Sequence, residues 1–193
     1  VMARIEHRRL TADVEGDFVV FMIGMRVNRP WKLHRWLPVF LAMPRMLREL
    51  AKDPDLGLLG YRQHLANPLQ PMVVQYWRSF EQLEAFARAK DRTHFPAWVK
   101  FNQAVGTSGD VGIWHETYRV HAGDHESVYN HMPVFGLAKA TSAVPAGGRR
   151  ESAAGRMAVP VREGHQGEPG TALPADERPV DPTRSRTFRS SAR

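Results

Sequence analysis

The stretch from Pro71 to Val120 constrains the fold more than any other part of the chain, because it reads as strand, long helix, turn and strand without interruption. Met72, Val73, Val74, Tyr76 and Trp77 form a short run of the composition that a strand buried on both faces requires. Ser79 with Gln82 three residues on is a capping box, which starts a helix. Apolar residues then recur at helical spacing, first Phe80, Leu83, Phe86 and Ala87, then Trp98, Phe101 and Val105, and this stripe needs a sheet to lie on. Pro96 predicts a break in that helix. Thr107-Ser108-Gly109-Asp110 is turn composition, and Val111 to Val120 returns as a strand. Alternation along it sends His115 to the side of Ile113 and Thr117, and Trp114, Tyr118 and Val120 to the other.

Upstream, Phe18 to Val27 predicts a strand that is apolar on both faces, with Phe18, Val20 and Met22 on one and Val19, Phe21, Ile23 and Met25 on the other. Asn28-Arg29-Pro30 is a turn, and Trp31 to Lys52 a helical stretch made irregular by Pro38 and Pro44. Its basic edge reads as a solvated helix face rather than a membrane-binding one. Asp53-Pro54-Asp55 stops the helix, and Gly57 to Leu65 predicts a strand whose glycines mark a close approach. The order β, α, β, β, α, β predicts an α+β fold, a ferredoxin-like split βαβ unit with a four-stranded antiparallel sheet. Two helices cover one face of such a sheet. The second apolar face of Phe18 to Val27 therefore calls for another subunit, a homodimer whose sheets close into a dimeric α+β barrel with a lined interior.

The polar opening, Val1 to Glu15, is expected to be an arm that packs on the partner, and His125 to Ala143 is apolar enough to pack. From residue 145 glycine, proline, serine and arginine dominate without tryptophan or tyrosine, so the expected division is a barrel domain over 1–144 and a mostly disordered basic tail over 145–193.

The formal charge of +7 invites a nucleic-acid partner, but it is spread. The tail holds nine arginines against six acids, and the rest of the chain 18 basic against 14 acidic side chains, with no dense basic stripe interleaved with aromatics. No nucleic-acid partner is expected. The absence of cysteine excludes disulfides, thiolate ligation and a cysteine nucleophile, and fits a reducing cytosol, so the expected localisation is cytoplasmic. Trp36 to Pro44 is far shorter than the roughly 20 apolar residues of a spanning helix. No signal-peptide pattern opens the chain.

Nine histidines are the main reactive set. His7, His34, His64, His121 and His165 lie at ends or among charges and read as surface residues, and nothing places His125 in a cavity. His94 beside Trp98, His115 on the last strand, and His131 within Tyr129-Asn130-His131-Met132-Pro133 are better placed. No HExxH pattern, serine elbow or phosphate loop accompanies them.

These residues carry a resemblance. Trp77-Arg78-Ser79 opening the second helix, with His94 near Trp98, is similar to the dimeric α+β barrel superfamily, including the antibiotic-biosynthesis monooxygenases. Ile113-Trp114-His115-Glu116, followed by Tyr129-Asn130-His131-Met132-Pro133 and Phe135-Gly136-Leu137, resembles the end of the haem-dependent aldoxime dehydratases. Asp17 to Ala154, about 70% of the chain, resembles a small family of bacterial proteins described as monooxygenase or aldoxime-dehydratase-like. The resemblance implies a haem in the barrel cavity with His115 as axial ligand and Trp114 and Trp98 as cavity walls. It implies His131, Asn130, His94 and Arg78 as polar residues acting on an N–O or O–O bond. The aldoxime dehydratases end in Asn-Cys-His-Pro where this chain has Asn130-His131-Met132-Pro133, which displaces the histidine by one position. The implied function is a haem-dependent dehydratase or monooxygenase acting on a small, largely apolar substrate. The alternatives are a cofactor-free monooxygenase, in which the substrate itself activates dioxygen, and a non-catalytic dimeric protein that binds a hydrophobic ligand.

Overall fold

A computed structural model of the chain describes residues 3–89 and 108–157. Its elements are β1 (Leu10–Asp13), β2 (Phe18–Val27), α1 (Leu33–Leu50), β3 (Leu58–Leu65), β4 (Pro71–Trp77), α2 (Phe80–Arg88), β5 (Val111–Val120), α3 (Gly136–Ala140), β6 (Ser142–Pro145) and α4 (Ala153–Met157). The main sheet has the order β3-β4-β2-β5 and is antiparallel at every pairing. This is the ferredoxin-like α+β arrangement from which dimeric α+β barrels are built, as expected from the sequence. His94, Pro96 and Trp98 lie outside the described residues.

The helix side of the sheet is built from the alternate residues of β2 and the apolar stripes of the helices. Val19, Leu50, Trp77 and Leu83 form one buried cluster, with Phe21, Phe80 and Phe86 against it. Met25, Val27 and Val111 form another, packed by Trp36 and Val39. α1 runs from Leu33 to Leu50 with Pro38 and Pro44 inside it. Each proline forfeits one backbone bond, and burial of Leu47 and Leu50 on the sheet compensates at the C-terminal end. Ser79 caps α2, its Oγ accepting from the Gln82 amide at 3.2 Å. The reciprocal half of the capping box is not made, because the Gln82 side chain donates instead to the Asp55 carbonyl at 3.3 Å.

The other face departs from the sequence argument. Phe18, Val74 and Tyr76 of the sheet are buried against Ala12, Leu137 and Ala138 of the same chain, with Val20, Met22 and Tyr129 packed around them. The N-terminal arm belongs to this layer. β1 pairs with β6 in a two-stranded sheet, and Leu10 and Tyr129 exchange backbone hydrogen bonds at 2.8 Å in both directions. Counting only the two helices of the split unit left out this layer, whose apolar residues are too few and too scattered to read as a periodic element. A second subunit is therefore not needed to cover the β2–β4 part of this face. Gly60 is the point of close approach foreseen on β3: a Cβ there would stand 2.8 Å from the Cβ and 3.0 Å from the Cα of Ala140. Gly60→Val is expected to push α3 off the sheet and to lower stability by about 1–3 kcal/mol, read from the shift of a urea unfolding midpoint.

The division expected after residue 144 falls inside β6, and ordered elements continue to Met157. Arginines hold them. Arg150 Nη2 meets Asp13 Oδ1 at 2.7 Å, and Arg9 donates to the Glu151 carbonyl at 2.7 Å. The buried Arg156 donates through Nε to Glu126 at 2.7 Å, and through Nη1 to the carbonyls of Arg150 and Glu151 at 3.0 and 2.7 Å. Composition counts an arginine as solvated, whereas these are spent on carboxylates and backbone carbonyls. Among the described residues no helix is long and apolar enough to cross a membrane.

Candidate functional site

Register decides what His115 faces. In the β2–β5 ladder His115 stands opposite Ile23, Thr117 opposite Phe21 and Ile113 opposite Met25, and directly opposed residues of an antiparallel pair share a face. That face is the helix side, where the Phe21 and His115 rings lie 5.8 Å apart. Ile23 and His115 sit between the two buried clusters of this side, neither of which includes them. β5 is the edge of the sheet, and Ile113, His115 and Thr117 are exposed on it. The result is an apolar patch, Phe21, Ile23 and Ile113, that carries one imidazole and one hydroxyl. Among the described residues no hydrogen bond holds the imidazole.

The other expected site residues are not gathered around it. Trp114 points to the opposite face, its indole packed on Gly24, where a Cβ would meet the ring at 2.6 Å. On that same face Tyr118 donates to Glu116 at 2.7 Å, so Glu116 does not orient His115. Arg78 is exposed, and its backbone amide donates to the Gly57 carbonyl at 2.8 Å. Asn130 and His131 are exposed in the connection after Tyr129. His131 has φ of 51° and its ring is 6.1 Å from that of His7. Tyr129 packs on the second face, so the sheet separates this connection from His115.

The described residues do not fit a haem. An axial imidazole is ordinarily held by an acceptor on its other ring nitrogen, and His115 has none among the described residues. Trp114, expected as a wall, and His131 and Asn130, expected opposite the iron, are all on the far side of the sheet from His115. No group of three or more histidine, aspartate or glutamate residues able to hold a metal ion occurs among the described residues.

The second face carries polar groups that the sequence reading passed over. His125, set aside as part of a connection, is half-buried, edge-on to Phe18 with ring centroids 5.2 Å apart, and its Nδ1 is buried without a partner among the described residues. Arg62 Nε and His64 Nε2, two residues apart on β3, are likewise buried and without a partner among the described residues. The alternation Tyr61-Arg62-Gln63-His64 reads as a solvated edge strand, and nothing local reveals that the connection after Tyr129 folds over it. Burial holds the His125 imidazole below its ordinary value of 6.5, against an opposing pull from the Asp13 charge. The unfolded chain then binds this proton more tightly than the folded one, so the stability present above about pH 6.5 is lost as pH falls through the window beneath it. The melting temperature is expected to drop between about pH 7.5 and pH 5.5, and His125→Gln is expected to flatten that drop.

Monooxygenase af470 from Aspergillus fumigatus is 27% identical over 124 residues, 60% of this chain and 43% of that protein, so the chain spans less than half the length of this relative. A crystal structure of aldoxime dehydratase superposes with a TM-score of 0.50 at 15% identity, over 72% of this chain and 39% of that one, which is a likeness of fold. SnoaB, a cofactor-independent oxygenase from Streptomyces nogalater, superposes with a TM-score of 0.35 at 14% identity, over 53% of this chain and 91% of its own. The family model described as monooxygenase af470-like matches residues 18–137, which takes in every strand and helix of the split unit, and the chain belongs to that family.

Proposed function

We propose that this chain is a monooxygenase that oxygenates a small, largely apolar substrate held on the helix face of the sheet beside His115. Membership in the family supports the reaction type. One observation supports the site: His115 stands opposite Ile23 in the gap between the two apolar clusters. Phe21, Ile23 and Ile113 bury an apolar substrate there, and the imidazole, which no hydrogen bond holds among the described residues, takes a proton from it. The electron count needs no other redox group. An acidic CH2 converted to a carbonyl gives up four electrons and two protons, and dioxygen becomes the carbonyl oxygen and one water. His115 acts by making the substrate anion, which then gives electrons to dioxygen.

The same reading includes a homodimer. Ile113, Trp114 and Tyr118 are 43%, 37% and 49% exposed along β5, an open sheet edge, and an exposed apolar edge of that kind associates unless covered. A second copy covers it, and sedimentation at micromolar concentration should find a dimer; a well-folded monomer overturns this part.

The test of activity uses the full chain expressed with added haem precursor. The expected result is no stoichiometric Soret band, together with dioxygen uptake, one equivalent per substrate and without added reductant, when an enolisable apolar ketone is supplied. A stoichiometric Soret band would replace this reading by the haem-dependent dehydratase or monooxygenase. Absence of both the band and any uptake across such ketones leaves the non-catalytic ligand-binding protein.

A further inference from the structure

We propose that the outward face of α1 is a docking surface for an anionic lipid bilayer, on which the helix lies flat without crossing it. The helix carries two apolar stripes. Trp36, Val39, Leu47 and Leu50 turn to the sheet, where Leu47 and Leu50 are buried and Trp36 and Val39 pack on the Met25 cluster. Leu33, Leu37 and Leu41 recur at every fourth position on the side away from the sheet, with Phe40 beside them, and all four are exposed. Trp31 precedes them. Its neighbours are tied inward: the Pro30 carbonyl accepts from Trp36 Nε1 at 3.0 Å, and Lys32 Nζ meets Asp110 Oδ2 at 3.0 Å. Trp31 itself is left 72% exposed, the highest value of any large hydrophobic side chain among the described residues. A helix at the surface of a domain ordinarily hides its apolar stripe and wets the rest. This one hides one stripe and shows another.

Charge selects what covers the second stripe. From residue 28 to residue 48 the chain has no aspartate or glutamate, and it carries Arg29, Lys32, Arg35, Arg45 and Arg48. Arg29 and Lys32 share the one buried carboxylate of Asp110, so the start of the helix stays net positive. Arg45 continues the row of leucines at the same spacing, Arg48 follows one turn on, and both are exposed. No carboxylate pairs with either among the described residues. Tryptophan, leucine and phenylalanine between cations at both ends suit the plane of a bilayer surface: the apolar groups enter the boundary between headgroups and chains, and the cations stay at the lipid phosphates. A second copy of the chain would set the same cations against one another, and like charges oppose that pairing. Read from the sequence as solvated, the basic edge of α1 lies in the structure beside exposed leucines. The proposal does not depend on the reaction at His115.

The test is co-sedimentation of the full chain with vesicles of phosphatidylcholine alone and of an equimolar mixture of phosphatidylcholine and phosphatidylserine. The chain is expected to pellet with the mixed vesicles and not with the neutral ones, and added salt is expected to release it. The double variant Arg45→Gln, Arg48→Gln should weaken partitioning by about tenfold or more, as loss of two surface cations predicts. Leu37→Ser with Leu41→Ser should weaken it by about tenfold through lost apolar contact. All four side chains are exposed, so both variants should melt like the wild type. The arginine-rich stretch from residue 145 offers the same lipids a second source of attraction, and wild-type partitioning in both variants would assign the binding there and overturn the proposal. Equal pelleting with neutral and mixed vesicles, or none with either, would also overturn it. So would self-association without lipid that Leu37→Ser with Leu41→Ser abolishes, which would give the face to a second copy.

Discussion

Replacing Trp77 by alanine is expected to lower the stability of the chain by about 3–5 kcal/mol, the largest effect of any single substitution in the helix-side core. Trp77 is 0% exposed and belongs to the cluster of Val19, Leu50 and Leu83, with the Phe86 ring 5.7 Å away. Its indole Nε1 also donates to Gln75 Oε1 at 2.8 Å, and Gln75 is itself buried. Truncation therefore opens a cavity and strands a buried acceptor, and the second effect alone costs about 1–3 kcal/mol. Against a total of about 5–15 kcal/mol, the loss brings the domain close to unfolding at ambient temperature. Urea unfolding followed by far-UV circular dichroism measures it, and Trp77→Phe, which refills most of the volume but still orphans Gln75, should fall between the two. A loss below about 1 kcal/mol for the alanine variant would mean that the cluster does not hold β4 to the helices.

His115→Ala is expected to lower kcat by about 10²–10⁴-fold, the range of a lost general base, with a much smaller change in KM. Stability is not expected to move by more than about 0.5 kcal/mol, because His115 is exposed on the edge strand and has no hydrogen-bond partner among the described residues. That separation makes the variant informative. Loss of activity in a protein that melts like the wild type places the imidazole in the reaction. An unchanged kcat removes it and leaves the apolar patch as a binding surface only. Arg78→Ala serves as the control, since that side chain is exposed at the start of α2 and lies outside the patch.

Much of the split unit was legible locally. Ser79 announced the start of α2 because a cap acts within three residues, and the run of β2 announced a strand covered on both sides because both of its alternate faces are apolar. Gly60 marked a close approach, and Ala140 supplies it. The facing of His115 followed from simple alternation; which partner it met did not. Register with β2 put Ile23 opposite His115; alternation had already set Trp114 on the other face, and the path of the chain after β5 separated it from His131.

By itself, then, the sequence determined the order of elements within the split unit, the class of fold and the alternation of β5, all of which rest on spacings of two to four residues. Only the tertiary structure decided what covers the second face and where the unpartnered polar groups gather. Leu10 meets Tyr129, Arg62 lies over Phe135, and Arg156 reaches Glu126. The last two contacts involve long, flexible side chains whose charge reads as solvated wherever it occurs. All three join segments 30 or more residues apart, and no local period records such contacts, because the free energy that selects them comes from closing the chain on itself and not from any one stretch of it.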